Sequence, residues 1–265
     1  MTSLQEKEIS KKNLFKKEDW SSAYKNVDIE YESKSISACN GNTIKELNGT
    51  LFRNGPGILE RDGQWVHHPF DGDGMITAIK FNNGKVTLTN KFVRTKGFLE
   101  EQKENKFIYR GVFGTQKRGG ILKNAFDLNF KNIANTHVIK LGDKLLALWE
   151  AAGPHALNPN NLETIGLTTL DGVLKNNEAF SAHPKIDLNS KSSDEVLVTF
   201  GVQTGPKSTI RLMEFSNSGG NSGELLFDRK DKLNGFAFLH DFAITTNWAI
   251  FLQNAIDFNP LPFVM

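Results

Sequence analysis

The chain has 265 residues, 38% of them hydrophobic, and its 32 Lys plus Arg against 30 Asp plus Glu give a formal net charge of +2. That length and apolar content suffice for one large domain or two smaller ones, and the near balance of charge leaves no field that would draw a nucleic acid. A single cysteine, Cys39, excludes an intramolecular disulfide framework and any multi-cysteine zinc site.

The N-terminus, MTSLQEKEISKK, has no apolar signal region, and no uninterrupted apolar run exceeds five residues. Neither a signal peptide nor a spanning helix is expected, and the protein reads as cytoplasmic. The basic stretch KKNLFKKEDW, with Phe15 and Trp20, leads into mixed charge up to about Ser37. Residues 1–37 are therefore taken as a solvated, partly ordered arm, and 38–265 as the folded unit.

From Thr43 onward, short alternating runs are punctuated by glycine and asparagine turns, which predicts an all-β array. ITAIKFNNGKVTLTNKFV turns at Asn82, Asn83 and Gly84, and TIRLMEFSNSGGNSGELLFDRK turns through a Ser/Gly/Asn loop. Similar strand pairs are expected at 107–112, 137–149, 163–174, 195–202 and 236–252. Successive hairpins of this number fit a β-propeller better than a sandwich. One segment departs from the pattern. KRGGILKNAFDLNFKNIAN (117–135) spaces Leu122, Ala125, Phe126, Phe130 and Ile133 at three to four residues among lysines, predicting a short amphipathic, basic helix or pair of turns.

Six histidines can be weighed singly. His67 and His68 are adjacent, point to opposite faces of a strand and cannot readily chelate one ion; nothing in their spacing marks His137 or His155 as a ligand. His183 precedes Pro184, which holds it in an extended conformation and presets its direction. His240 lies in FAFLHDFAIT, where period-2 alternation puts it on one face with Phe236, Phe238 and Phe242. A buried imidazole there needs a carbonyl, a carboxylate or a metal as its partner. Glu150 ends the apolar stripe Leu146, Leu148 in DKLLALWEAAG and is the kind of carboxylate that receives the second N–H of a metal-bound imidazole. Asp71 and Asp73 in HPFDGDGM form a tight turn with too few ligand positions for a calcium loop. No GxSxG, P-loop or dinucleotide fingerprint is present.

GTLFRNGPG (49–57), HHPFDGDGM (67–75), YRGVFGTQ (109–116), KNIANT (131–136), LLALWEAAGPH (145–155), EAFSAHPKID (178–187) and GFAFLHDFAIT (235–245) together resemble the carotenoid cleavage oxygenase family, in order, from about residue 45 to the end. The resemblance implies a seven-bladed β-propeller with Fe(II) on its axis, held by four histidines with glutamates behind them. His183 and His240 match two of the iron ligands and Glu150 matches one of the supporting glutamates. Thr136 is implied on the oxygen side of the iron, and Trp149, Phe113 and Phe236 along an apolar tunnel. Leu122, Phe126 and Phe130 match a nonpolar patch that rests on a membrane surface, so peripheral membrane association is expected. The implied reaction is scission of a C=C bond of a carotenoid or apocarotenoid by O2. Family members continue through roughly three more blades after the point matched by FNPLPFVM. This chain is accordingly expected to form about four blades and to lack cleavage activity by itself. Two alternatives are a metal-free propeller-like binding module and a polyene isomerase of the same family.

Overall fold

The computed structural model describes residues 22–37, 45–175, 178–188 and 195–254; Phe15, Trp20 and Cys39 lie outside them. Three four-stranded antiparallel sheets account for most of this part, as the all-β reading expects. The first comprises β1 (Tyr31–Ile36), β2 (Gly49–Ile58), β5 (Asp73–Asn82) and β6 (Lys85–Phe92) in the order β1-β6-β5-β2. Two short strands, β3 (Glu60–Arg61) and β4 (Gln64–Trp65), pair between β2 and β5. The second sheet is a meander of β7 (His137–Leu141), β8 (Lys144–Leu148), β9 (His155–Leu157) and β10 (Thr164–Leu167). The third is a meander of β11 (Lys185–Leu188), β12 (Glu195–Gln203), β13 (Thr209–Ser216) and β14 (Leu225–Lys232). A last ladder joins β15 (Ala243–Ile244) to β16 (Ala249–Ile250).

The sheets stack face to face, and the alternation of the strands says why. Leu145 and Ala147 of β8 pack with Ile76 and Ala78 of the first sheet, while Leu146 and Leu148 pack with Leu197, Met213 and Phe215 of the third. The opposite face of the third sheet, Val198, Phe200 and Ile210, packs on Leu239 and Phe242. Each fully buried aliphatic or aromatic side chain contributes about 1.5–3 kcal/mol, so these layers dominate the stability of the stack.

Two glycines let loops approach the sheets at distances that no side chain allows. A Cβ on Gly74 would stand 2.2 Å from the Ala134 carbonyl oxygen, and one on Gly201 would stand 2.0 Å from that of Ala179. At these places Gly74 N–H donates to Ile133 O and Ser181 N–H donates to Phe200 O, fixing the loops that carry Thr136 and His183. A buried charge cluster anchors the first of these loops from behind. Asp73 accepts from Arg61 at 3.0 Å and from Lys131 at 2.8 Å, and Lys131 also reaches Glu101. Asp71 accepts from the backbone N–H groups of Phe113 and Thr115 and from the Thr115 hydroxyl. The DGDG turn is thus an internal tie for neighbouring loops.

Several local expectations differ. Residues 31–36, assigned to the arm, form an edge strand on β6; YESKSI carries no apolar alternation because both its faces are largely exposed. The 117–135 segment contains one helical turn, α2 (Ile121–Asn124), and then loop. Gly119 and Gly120 precede α2 at positive φ and Phe126 follows at φ +60°, while Asn124 ties the loop together by accepting from Lys117 N–H and donating to the Lys117 and Gly120 carbonyls. The clear helix, α1, is Lys96–Glu104. Its signals are legible: Thr95 accepts from Phe98 N–H as N-cap, Phe98 and Glu101 are buried three residues apart, and Asn105 closes it in the left-handed conformation. Residues 107–112 form no strand beyond an isolated bridge at Arg110, and the run 163–174 is a strand only to Leu167.

His155 on β9 is buried, and burial pushes its imidazole down to about 4. The sign follows: the neutral ring is the folded form, so its contribution is complete above the unfolded value of about 6.5 and is lost as pH falls through the window toward 4. His155→Gln should therefore flatten the loss of unfolding free energy between about pH 6.5 and pH 4, a difference of about 3 kcal/mol on this shift. Urea unfolding of both proteins across that range measures it.

Candidate metal centre

Three side chains far apart in the chain meet beside the stacked sheets. Glu150 lies two residues beyond the end of β8, His183 two residues before β11, and His240 three residues before β15. Glu150 Oε1 stands 3.3 Å from His183 Nε2 and 3.5 Å from His240 Nδ1. The two imidazole rings are edge to face with centroids 4.5 Å apart. One ligand atom from each residue falls within 4.8 Å of the other two.

Local structure explains the convergence. The both-faces burial of β8 carries Glu150 inward, and its side chain is 16% exposed. The Ser181 hydroxyl accepts from His183 N–H, and the following proline holds His183 extended. His240 differs from its expected setting: it is 60% exposed, and the aromatic face predicted for it does not form. Residues 236–242 belong to no strand, and the buried members are Ala237, Leu239 and Phe242, a spacing that breaks period 2. What brings His240 to the cluster is the anchoring of its neighbours Leu239 and Phe242 on the third sheet.

The electrostatics favour a cation. Burial pushes the Glu150 carboxyl up to about 8, against the pull of the Ala182 backbone N–H, and nearby Asp241 adds to the rise. Burial also holds the His183 imidazole below its ordinary value, with His240, His137 and Lys185 pushing the same way and Asp241 opposing. Glu150 Oε1 and His183 Nε2 are both buried, and neither has a hydrogen-bond partner among the described residues. A buried carboxyl with a raised proton affinity, beside a neutral imidazole with an unused nitrogen, fits a divalent cation held by the imidazoles, whose charge would favour the ionised carboxylate next to it.

The remaining candidates lie at different depths from solvent. Thr136 precedes β7, and its backbone N–H donates to Leu148 O, which sets it beside the strand end that carries Glu150; its hydroxyl donates to Asn135 Oδ1. Trp149 is buried with Ile133 and Ala152, and Val112 and Phe130 pack against them. Phe113 is exposed and meets Phe70 and His68 ring to ring at 5.4 Å. Phe236 is half-buried beside the His240 segment. Leu122 and Phe126 are 94% and 73% exposed, with Leu128 exposed beyond them, whereas Phe130 turns inward on the Trp149 cluster. Leu128 escapes the helical spacing used to pick the patch because the segment is loop there. Among the described residues no helix is long and apolar enough to cross a membrane.

Residues 24–263 match the family model of retinal pigment epithelial membrane protein, RPE65. The chain is 48% identical over 250 residues to the apocarotenoid-15,15'-oxygenase of a Synechocystis strain, covering 93% of this chain and 50% of that protein. It is 30% identical over 214 residues to resveratrol cleavage oxygenase 1 of Botryotinia fuckeliana, covering 79% of this chain and 36% of that protein. The crystal structure of cobalt-substituted Synechocystis ACO superposes with a TM-score of 0.87 at 47% identity, over 93% of this chain and 51% of that one. The chain thus spans about half the length, or less, of these similar proteins.

If the trio holds a cation, Glu150→Gln, which keeps shape but removes the charge, should weaken Co2+ binding by roughly 10–100-fold, the range for a supporting carboxylate. Calorimetric titration at pH 7 should also show proton release on binding to the unchanged chain, and much less in the variant.

Proposed function

The chain belongs to the RPE65, or carotenoid oxygenase, family, and on that premise we propose that Glu150, His183 and His240 form its part of an Fe(II) centre for oxidative cleavage of a conjugated C=C bond. The observation that carries this reading is the convergence of Glu150, His183 and His240, with one ligand atom of each within 4.8 Å of the others and Glu150 Oε1 and His183 Nε2 buried without hydrogen-bond partners among the described residues. When bound, the iron supplies activation of O2 for insertion across the double bond.

The chain's own residues do the rest. His183 and His240 hold the ion as neutral imidazoles, two of the four that the family resemblance implies. Glu150 faces Nδ1 of His240, where a carboxylate orients the ring and raises its basicity. Thr136, beside the same strand end, borders the oxygen side. Leu122, Phe126 and Leu128 are exposed, and Phe130 of the same segment packs with Val112 on Trp149; we assign these side chains to the path by which a lipophilic polyene would leave a membrane surface for the site. Phe113 and Phe236 are assigned to the same path on the family resemblance. Burial along the route excludes water and holds one double bond near the ion. A peripheral, cytoplasmic protein follows from this reading. The described strands, from β1 (Tyr31–Ile36) onward, are read as parts of successive blades of the family's seven-bladed propeller. Apocarotenoids are the favoured substrates, given the 48% identity to an enzyme named for one.

Tests separate the chemistry from the surface. A polypeptide in which this chain is completed to the length of its relatives, turning over an apocarotenal under 18O2, should place label in the carbonyl products. His183→Ala or His240→Ala in that polypeptide should cut turnover by at least about two orders of magnitude. Unlabelled products with intact turnover would point to isomerisation or hydrolysis instead. On anionic vesicles, Leu122→Asp with Phe126→Asp should abolish co-flotation at unchanged melting temperature, whereas Phe130→Asp should lower the melting temperature because that ring packs inside.

A further inference from the structure

We propose that Lys185 and Asp241 are a positioning pair that sets the distance between the two imidazoles. Lys185 is the first residue of β11, two beyond His183, and Asp241 directly follows His240. Lys185 Nζ lies 2.7 Å from Asp241 Oδ1. The same oxygen accepts from Phe242 N–H at 2.8 Å, and Lys185 Nζ also sits 5.8 Å from the centre of the Phe242 ring.

His240 sits in a run held by few other contacts. Residues 236–242 have no ladder pairing. At the start of this run Ala237 N–H donates to the Ser208 hydroxyl, and further on Leu239 and Phe242 dock on the third sheet. These contacts fix how far the segment lies from the sheet. The hydrogen bonds at Gly235 and Ala237 tie the start of the run to the β12–β13 connection, whereas the side-chain tie at the His240 end toward β11 is the Lys185–Asp241 pair. In sequence the pair stands one residue from one imidazole and two from the other. Its second effect is electrostatic. An ammonium group beside a cation site opposes binding, and its pairing with Asp241 cancels that field at short range. An exposed pair like this adds little to global stability, so its value lies in geometry.

The inference rests on the metal-centre reading, and the experiment keeps the two apart. Lys185→Met, Asp241→Asn and the reversed pair Lys185→Asp with Asp241→Lys are compared with the unchanged chain by two readouts. The first is the ring-to-ring nuclear Overhauser contact of His183 and His240 in metal-free, histidine-labelled protein. The second is Co2+ affinity. Both single variants should lose the ring contact and bind Co2+ about tenfold more weakly, the reversed pair should recover both to within about threefold, and all metal-free forms should melt within about 3 °C of one another. If charge alone matters, Lys185→Met should instead tighten Co2+ binding with the ring contact intact, and that result overturns the proposal. Loss in both singles without recovery in the reversed pair overturns it equally. Should the unchanged chain take up no Co2+, the metal reading fails, and the ring contact alone decides whether the pair sets the spacing.

Discussion

Leu145 and Ala147 leave β8 on one side, Leu146 and Leu148 on the other, and a neighbouring sheet fills the space on each side. A strand held this way cannot slide or rotate without opening two cores at once, since a one-residue slip would exchange its faces. Truncating any of these leucines to alanine would cost about 2–5 kcal/mol. The chain emerging from β8 therefore enters the interior in a fixed direction, and its second residue is Glu150. The carboxyl arrives where water does not compensate its charge, and its affinity for a proton rises accordingly. The chemistry of the site follows from this placement: the buried carboxyl needs a proton or a cation, and the two imidazoles facing it favour the cation.

The other two members of the trio are delivered less rigidly. His183 is set by Gly201, whose missing side chain lets residues 179–181 lie directly on β12, and by the proline that follows it. The Thr136 loop is set in the same way by Gly74 and is braced by the buried Arg61, Asp73, Glu101 and Lys131 cluster. Losing one partner of such a cluster leaves an uncompensated buried charge, a penalty of about 3–5 kcal/mol. His240 lies in an unpaired segment and is the most exposed of the three, so its position depends on side-chain contacts more than on the fold.

Much of this architecture was legible in the sequence where the physical signal is local. Strand alternation and the Asn83-Gly84 and Ser/Gly/Asn turns mark the β5–β6 and β13–β14 hairpins, and the Leu146, Leu148, Glu150 stripe correctly orients β8. Periodicity misleads where glycines and side-chain caps override it. Helical spacing in 117–135 is overridden by Gly119, Gly120 and the Asn124 side-chain ties, and the neglected Thr95 and Asn105 caps delimit the real helix. Period 2 in FAFLHDFAIT failed because, among the described residues, no partner strand pairs with it before Ala243. The meeting of Glu150, His183 and His240 was legible only through family resemblance: spacing along the chain carries no record of a contact between the end of β8, the lead-in to β11 and the unpaired run 236–242.

The central claim is that these three side chains enclose one cation. Anomalous diffraction from crystals of this chain soaked anaerobically in Fe2+ or Co2+ tests it most directly. The account predicts a single strong peak within about 2.1 Å of a nitrogen of His183 and of His240, adjoining the Glu150 carboxylate, and no such peak in His183→Ala crystals. A peak at other residues, or none at the trio under saturating metal, would contradict it.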